Sequence, residues 1–102
     1  MFVRKDIPLA DQIVQSSHAC IEAGRAFQPP PHTNLVLLAV SDETALLSAL
    51  ESISPVRYEV FFEPDSIDDN SKGRMGYTAA CTESVSGEKR RLFRKFRMWK
   101  PD

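Results

Sequence analysis

Hydrophobic and polar residues follow one another in blocks whose spacing alternates between that of a strand and that of a helix. Short runs rich in β-branched and aromatic residues predict four strands, and stretches with apolar residues three or four positions apart predict three helices. The predicted strands are residues 2–4, 35–40, 58–62 and 77–82. The predicted helices lie at about 8–23, from the capping run Ser41-Asp42-Glu43 to about Ile53, and from 86 onward. This order predicts a single α/β domain over residues 1–102, with a four-stranded mixed sheet that has helices on both faces and a hairpin formed by the last two strands.

The first predicted helix carries an apolar stripe beside a polar one. At about 100° per residue, the apolar stripe is made of Ala10, Ile13, Val14, Ser17, Ile21 and Gly24, and we expect it to face the core. The polar stripe is made of Asp11, Gln15, His18, Glu22 and Arg25. His18 lies at the edge of the polar stripe, where a histidine can be held by the core and still face solvent. Such a residue is either a working imidazole or an ordinary border histidine.

Composition limits the class of protein further. No run reaches the ~18 apolar residues of a membrane span, so no membrane partner is expected. The chain has two cysteines and lacks a signal-peptide pattern at its N-terminus, which favours the cytoplasm. We expect Cys20 and Cys81 to be core thiols. A metal site at His18 and Cys20 is rejected, because side chains two positions apart on a helix diverge.

The overall charge of −1 hides a strong asymmetry. Residues 89–100 hold seven basic side chains and no acidic one, whereas the rest of the chain has a net charge of −8. One interpretation is a nucleic-acid surface in which Arg90, Arg94 and Arg97 contact phosphates and Trp99 stacks on a base or ribose. The alternative is a terminal helix with a buried stripe of Leu92, Phe93 and Phe96, whose cations complement its C-terminus.

Two segments carry a family resemblance. They are Val3-Arg4-Lys5-Asp6 and Gln15-Ser16-Ser17-His18-Ala19, which resemble the opening of the type 2 peptidyl-tRNA hydrolases. The later strands and helices match that family in order and length over nearly the whole chain. The resemblance implies hydrolysis of the ester that links a peptide to the 3′ ribose of tRNA, without metal or cofactor. It also implies tRNA as a partner and a possible homodimer.

Candidate site residues follow from the chemistry of ester hydrolysis, which needs a group that deprotonates or positions water and donors that stabilise an oxyanion. His18 suits the first task, Gln15 is a candidate donor, and Thr78 is a candidate hydrogen-bond partner of the substrate. Either Asp65 or Glu63 could orient the imidazole from the end of the third strand. We expect a substrate-binding surface made of Asp11, Glu63, Arg90, Arg94, Arg97 and Trp99.

The chain also departs from the family pattern. Asp11 stands where the family has a lysine, and Glu63-Pro64-Asp65 replaces the turn that carries the family's aspartate. A second hypothesis therefore stays open, in which the domain has lost the chemistry and serves as a binding module for RNA or protein.

Overall fold

In a computed structural model, which describes residues 1–64 and 75–101, five strands form one mixed sheet. The elements are β1 (Phe2–Arg4), α1 (Leu9–Phe27), β2 (Leu38–Val40), α2 (Glu43–Ser52), β3 (Tyr58–Glu63), β4 (Gly76–Thr82), a 3₁₀ helix (Gly87–Phe93) and β5 (Arg97–Met98). The α/β class is confirmed, with five strands in place of the four predicted.

The order of strands across the sheet is β3-β4-β1-β2-β5. Strand β1 runs parallel to β2, whereas β4 is antiparallel to both β1 and β3. The predicted hairpin is therefore confirmed. Because β1, β2 and β3 point the same way, their carboxyl ends meet at one edge of the sheet. The first residues of α1 and α2 follow the ends of β1 and β2 there.

The face of the sheet that carries α2 holds the larger apolar core. Phe2, Leu46 and Ile53 are completely buried in it. The ring of Phe2 lies 6.0 Å from that of Phe93 and 4.8 Å from that of Phe96. The predicted inward direction of the last apolar stripe is thus confirmed.

The predicted last helix is present after Ser86, but it is a 3₁₀ helix that ends at Phe93, so Phe96 lies beyond it. After one short 3₁₀ helix the chain forms β5, in which Met98 pairs with Leu38 and Arg97 pairs with Ala39. This pairing satisfies backbone groups along β2 that a helix would have left without partners.

Two element boundaries also differ from the prediction. Helix α1 continues to Phe27, and Gln28 closes it in the left-handed region at φ 47°. Strand β2 begins at Leu38, because β1 offers it only three residues for pairing. Leu35 and Val36, predicted as part of a covered strand, are exposed.

The predicted buried face of α1 is wrong, and this is the largest correction. The helix buries Asp11, Gln12, Gln15, Ser16, Ala19 and Ala23, and it exposes Ile13, Val14 and Ile21. Ala19 and Ala23 let the helix approach the sheet closely. The side chains of Gln12, Gln15 and Ser16 tolerate burial because they find hydrogen-bond partners there. Gln12, for example, donates to the Ile7 carbonyl and accepts from the Trp99 indole, both at 2.8 Å.

Candidate functional site

Four residues of α1, β3 and β4 form a cluster that we call the His18 site: Gln15, His18, Phe61 and Thr78. The imidazole of His18 is exposed on the side of α1 that faces β3. Its ring stacks on that of Phe61, with 4.6 Å between centroids and 6° between planes. This contact holds an accessible imidazole in a defined position above the sheet.

A bulge in the hairpin places Thr78 directly below this pair. Phe61 pairs with Ala79 and Phe62 pairs with Tyr77, so Thr78 is an extra residue on β4. Its hydroxyl lies 3.1 Å from Gln15 Oε1 and 3.3 Å from the Phe61 carbonyl oxygen. One hydroxyl therefore connects α1 with the strand that supports His18. Bulges often re-aim side chains beside functional sites.

Three of the four predicted catalytic residues thus come together, but they differ in access to solvent. Gln15 is 1% exposed and Thr78 is 0% exposed. Their side chains are engaged with each other and offer no surface to a substrate. They can position His18 through Phe61 and α1, whereas His18 itself can meet a substrate.

Two of the candidate carboxylates lie on described parts of the chain. Glu63 ends β3 two positions after Phe61, so the two side chains point to the same face, about 7 Å apart along the strand. Asp11 lies two turns before His18 on the same side of α1, at about 10.5 Å along the axis, and it is 9% exposed. Asp65, the predicted catalytic carboxylate, lies outside the described residues.

A buried arginine that the sequence analysis missed fixes the start of β4 beside the site. Arg4 donates through Nη1 to the carbonyls of Met75 and Tyr77, and it pairs with Asp6 at 2.8 Å. The hydrogen bonds that Arg4 donates to the Asp6 carboxylate raise the pKa of Arg4 above its usual value, so the guanidinium stays charged. The sequence signals for Arg4 were its position at the end of β1 and its place in the segment Val3-Arg4-Lys5-Asp6 that carries the family resemblance.

A second anchor, also missed, comes from α2. Glu43 Oε2 accepts a hydrogen bond of 2.8 Å from the Tyr77 amide. Gly76 lies against the same carboxylate at φ 74°. Because side chains rarely adopt this φ and a Cβ would strike Glu43, only glycine fits well here.

The basic segment lies along the opposite edge of the sheet from the His18 site. Arg90, Arg94 and Arg97 are exposed there, as the predicted RNA surface requires. Trp99 is half-buried, donates to Gln12 and lies below the Lys5 ammonium at 5.2 Å. The indole therefore takes part in packing α1. At about 4.8 Å between strands, β5 lies about 19 Å from β3.

The cysteines occupy the apolar layer between α1 and the sheet. Cys81 is buried, Cys20 is half-buried, and both are free. Burial is the main reason that the pKa of the Cys81 thiol is raised to about 11. A thiol of this kind stays protonated at neutral pH and is a poor nucleophile.

Within residues 1–64 and 75–101, no group of three or more histidine, cysteine or carboxylate side chains is arranged to hold a metal ion. No helix in this part of the chain is both long and apolar enough to cross a membrane.

Comparison with known proteins gives no relative. No family model, curated protein or solved structure matches the chain. The resemblance to type 2 peptidyl-tRNA hydrolases therefore rests on the residues that carry it, at positions 3–6 and 15–19, and on the order of the later elements.

Proposed function

We propose that this protein hydrolyses the ester bond of peptidyl-tRNA or of another N-acyl-aminoacyl-tRNA, and that it acts in the cytoplasm. The observation that carries the proposal is the stacking of exposed His18 on Phe61, above the buried pair of Gln15 and Thr78. An accessible imidazole with a fixed orientation is the minimum that such a reaction needs from the protein.

In this reaction His18 acts as a general base. An imidazole, whose reference pKa is about 6.5, can take a proton from water near neutral pH. The water oxygen attacks the ester carbonyl, and the intermediate then releases the 3′ hydroxyl, which receives the proton from the imidazolium. Glu63, on the same face of β3, is the described carboxylate that could orient the ring. Gln15 and Thr78 are positioning residues.

The basic segment supports RNA as the partner. Arg90, Arg94 and Arg97 offer exposed guanidinium groups at the far edge of the sheet, and phosphates are their natural ligands. A separation of about 19 Å from β3 suits a ligand held at a distance from its reacting end. A tRNA whose acceptor helix lies on the basic edge would meet this geometry.

The test is a turnover assay with N-acetylaminoacyl-tRNA, in the presence and absence of a chelator. The proposal expects release of free tRNA that the chelator does not affect. Absence of turnover on several acyl-tRNAs contradicts it, and loss of turnover with the chelator contradicts the metal-independent step through His18.

RNA binding is tested separately with deacylated tRNA at increasing salt. Reversal to glutamate at Arg90, Arg94 and Arg97 should weaken binding and reduce the dependence of log affinity on log salt, by about 0.7–0.9 for each phosphate that the protein no longer neutralises. Arg25→Glu, at an exposed arginine in the last turn of α1 and outside the basic segment, is the control and should have little effect. Affinity that does not depend on salt contradicts the proposed surface.

A binding module without catalysis is the second candidate, and two observations favour it. Asp11 puts a negative charge where the resembling family has a lysine. Gln15 and Thr78 are closed off from substrate. This candidate expects salt-dependent binding of tRNA with no release of the acyl group, a result that distinguishes it from the enzyme.

A further inference from the structure

The outer side of β3 is an open edge of the sheet. Strand β3 has six residues and stands last in the strand order, and among the described residues it pairs only with β4. A strand in this position presents backbone N–H and C=O groups that can pair with another extended chain. At about 3.3 Å per residue the edge is about 20 Å long, which is enough to pair with about five residues of an extended peptide.

The register of the hairpin shows which residues present these groups. The Glu83 amide donates to the Arg57 carbonyl at 2.9 Å, so the backbone of Arg57 faces β4. Residues of an antiparallel pair alternate between facing the partner strand and facing away from it. The bulge adds its extra residue to β4 and does not change the alternation along β3. The outward groups therefore belong to Tyr58, Val60 and Phe62, and no residue in the described part of the chain hydrogen-bonds with them on that side.

This edge adjoins the proposed general base. His18 stacks on Phe61, which lies between Val60 and Phe62 on the same strand. Each of these outward positions is only about 3.3 Å from Phe61 along the strand, so an acyl chain whose ester lies at His18 can continue onto the edge. Tyr58 and Phe62 are 40% and 42% exposed, so apolar surface lies beside the outward backbone groups.

Charge indicates which part of the substrate lies here. Strand β3 carries Glu59 and Glu63 and no basic side chain, whereas the exposed arginines lie about 19 Å away along the other edge of the sheet. Carboxylates repel phosphates, but they do not repel the neutral backbone of a peptide. The RNA is therefore disfavoured at β3, and the acyl peptide is favoured.

We propose that the outer edge of β3 binds the peptide part of peptidyl-tRNA, which adds to the sheet as a further strand beside Tyr58, Val60 and Phe62. This inference rests on the proposed function and names the part of the substrate that the sheet recognises. Strand addition uses backbone hydrogen bonds, which every residue except proline can donate. The site therefore favours acyl groups several residues long over a single N-acylated residue, with little regard to their sequence.

Two ligands that cannot be hydrolysed test the site in the wild-type protein. Both have an amide in place of the ester at the 3′ position of the same tRNA, and the acyl group is N-acetylalanyl in one and N-acetylpentaalanyl in the other. Each additional backbone hydrogen bond should strengthen binding about two- to tenfold. The pentaalanyl ligand should therefore bind about tenfold more tightly or better, and equal dissociation constants overturn the proposal.

A matched pair of variants locates the binding on β3. Phe62→Pro removes one outward N–H at an edge position, where a strand tolerates proline. Phe62→Ala is the control, because it loses the same exposed ring and keeps the N–H. The preference for the pentaalanyl ligand should be about two- to tenfold smaller in Phe62→Pro than in Phe62→Ala. An equal preference in the two variants overturns the proposal, because the peptide then binds elsewhere.

The ligand offers a test that leaves the protein unchanged. A pentaalanyl ligand with N-methylated peptide bonds cannot donate backbone hydrogen bonds, so it should bind no more tightly than the N-acetylalanyl ligand. Full retention of the preference by this ligand would contradict strand addition even if Phe62→Pro did not fold.

Binding and turnover together separate this proposal from the proposed function. If the amide ligands differ as expected but the corresponding esters are not hydrolysed, the edge site is supported and the enzyme is not. If the esters are hydrolysed but the amide ligands bind equally, the enzyme is supported and the edge site is overturned.

Discussion

The hydrogen bond between Thr78 and Gln15 gives the sharpest test of how α1 sits on the sheet. Thr78→Val keeps the shape of the side chain but removes the hydroxyl, and Gln15→Met keeps the length of the chain but removes the amide. Both sites are completely buried, so water cannot replace either missing partner.

The structure predicts a pronounced departure from additivity. Either single substitution leaves a buried polar group without its partner, which costs about 1–3 kcal/mol of the free energy of unfolding. Replacement of both partners by apolar groups of similar shape is close to neutral. The double variant should therefore be more stable than the sum of the single changes predicts, by about 1–3 kcal/mol. Part of the Thr78→Val cost should persist, because the Phe61 carbonyl loses the same hydroxyl.

Urea denaturation of the four proteins, followed by circular dichroism, measures these free energies. The double-mutant cycle isolates the coupling between the two side chains, and similar m-values show that the unfolded states are comparable. Single effects that add without coupling would refute the reasoning. They would mean that Gln15 and Thr78 do not meet, and that α1 presents another face to the sheet.

Three more predictions concern particular side chains. Ile13→Ala should change the free energy of unfolding by less than about 1 kcal/mol, because Ile13 is exposed. The control Leu46→Ala, at a fully buried site, should lower it by about 2–5 kcal/mol. Equal losses in urea denaturation would contradict the orientation of α1. Gly76→Ala should lower thermal stability, because φ is 74° and a Cβ would strike Glu43, and Glu43→Ala in the same chain should recover only the part that comes from the collision. Cys81 should react with iodoacetamide far more slowly than a free cysteine at pH 8, and its reaction should become faster as the pH approaches its pKa of about 11. Mass spectrometry of peptides measures the labelling. Rapid labelling of Cys81 at neutral pH would show that the thiol is not buried as described.

Much of the fold could be predicted from local signals. The runs at 2–4, 58–62 and 77–82 are strands as predicted, because β-branched and aromatic residues are concentrated there between breaks. The beginning of α2 was predicted to within a residue, from the run Ser41-Asp42-Glu43. Asp42 accepts a hydrogen bond of 2.8 Å from the Ala45 amide, and a short acidic side chain before a helix is a strong signal for an N-cap.

The orientation of α1 could not be predicted from the spacing of its apolar residues. That spacing reports only which side chains are polar, and it does not show which polar side chains find hydrogen-bond partners inside the fold. Gln12 and Gln15 count as surface residues in any hydropathy pattern. They are buried because Trp99 and Thr78, 87 and 63 positions later, supply hydrogen bonds. Strand β5 was missed for a similar reason, since two residues pair only because β2 leaves an edge open.

The candidate site was predicted in part. His18, Gln15 and Thr78 were identified from residue type and resemblance, and they do come together. Phe61, which holds the imidazole in place, was overlooked because an aromatic residue in a predicted strand is normally assigned to the hydrophobic core. Arg4 and Glu43 were overlooked because their role depends on the start of β4, which no local pattern connects with either residue.

The central claim is that His18 performs the chemistry, and the rate of a single turnover tests it most directly. Excess enzyme is mixed with N-acetylaminoacyl-tRNA, and the first-order release of the acyl group is followed for wild type, His18→Ala and the control Glu22→Ala, an exposed change one turn along α1. The account predicts that His18→Ala lowers the rate by a factor of about 10² to 10⁴, with Glu22→Ala close to wild type. Loss of the stack on Phe61 should cost only about 1 kcal/mol of stability, so the variant is still folded. A His18→Ala protein as fast as wild type would contradict the assignment of His18, and a wild type with no turnover would contradict the proposed enzyme.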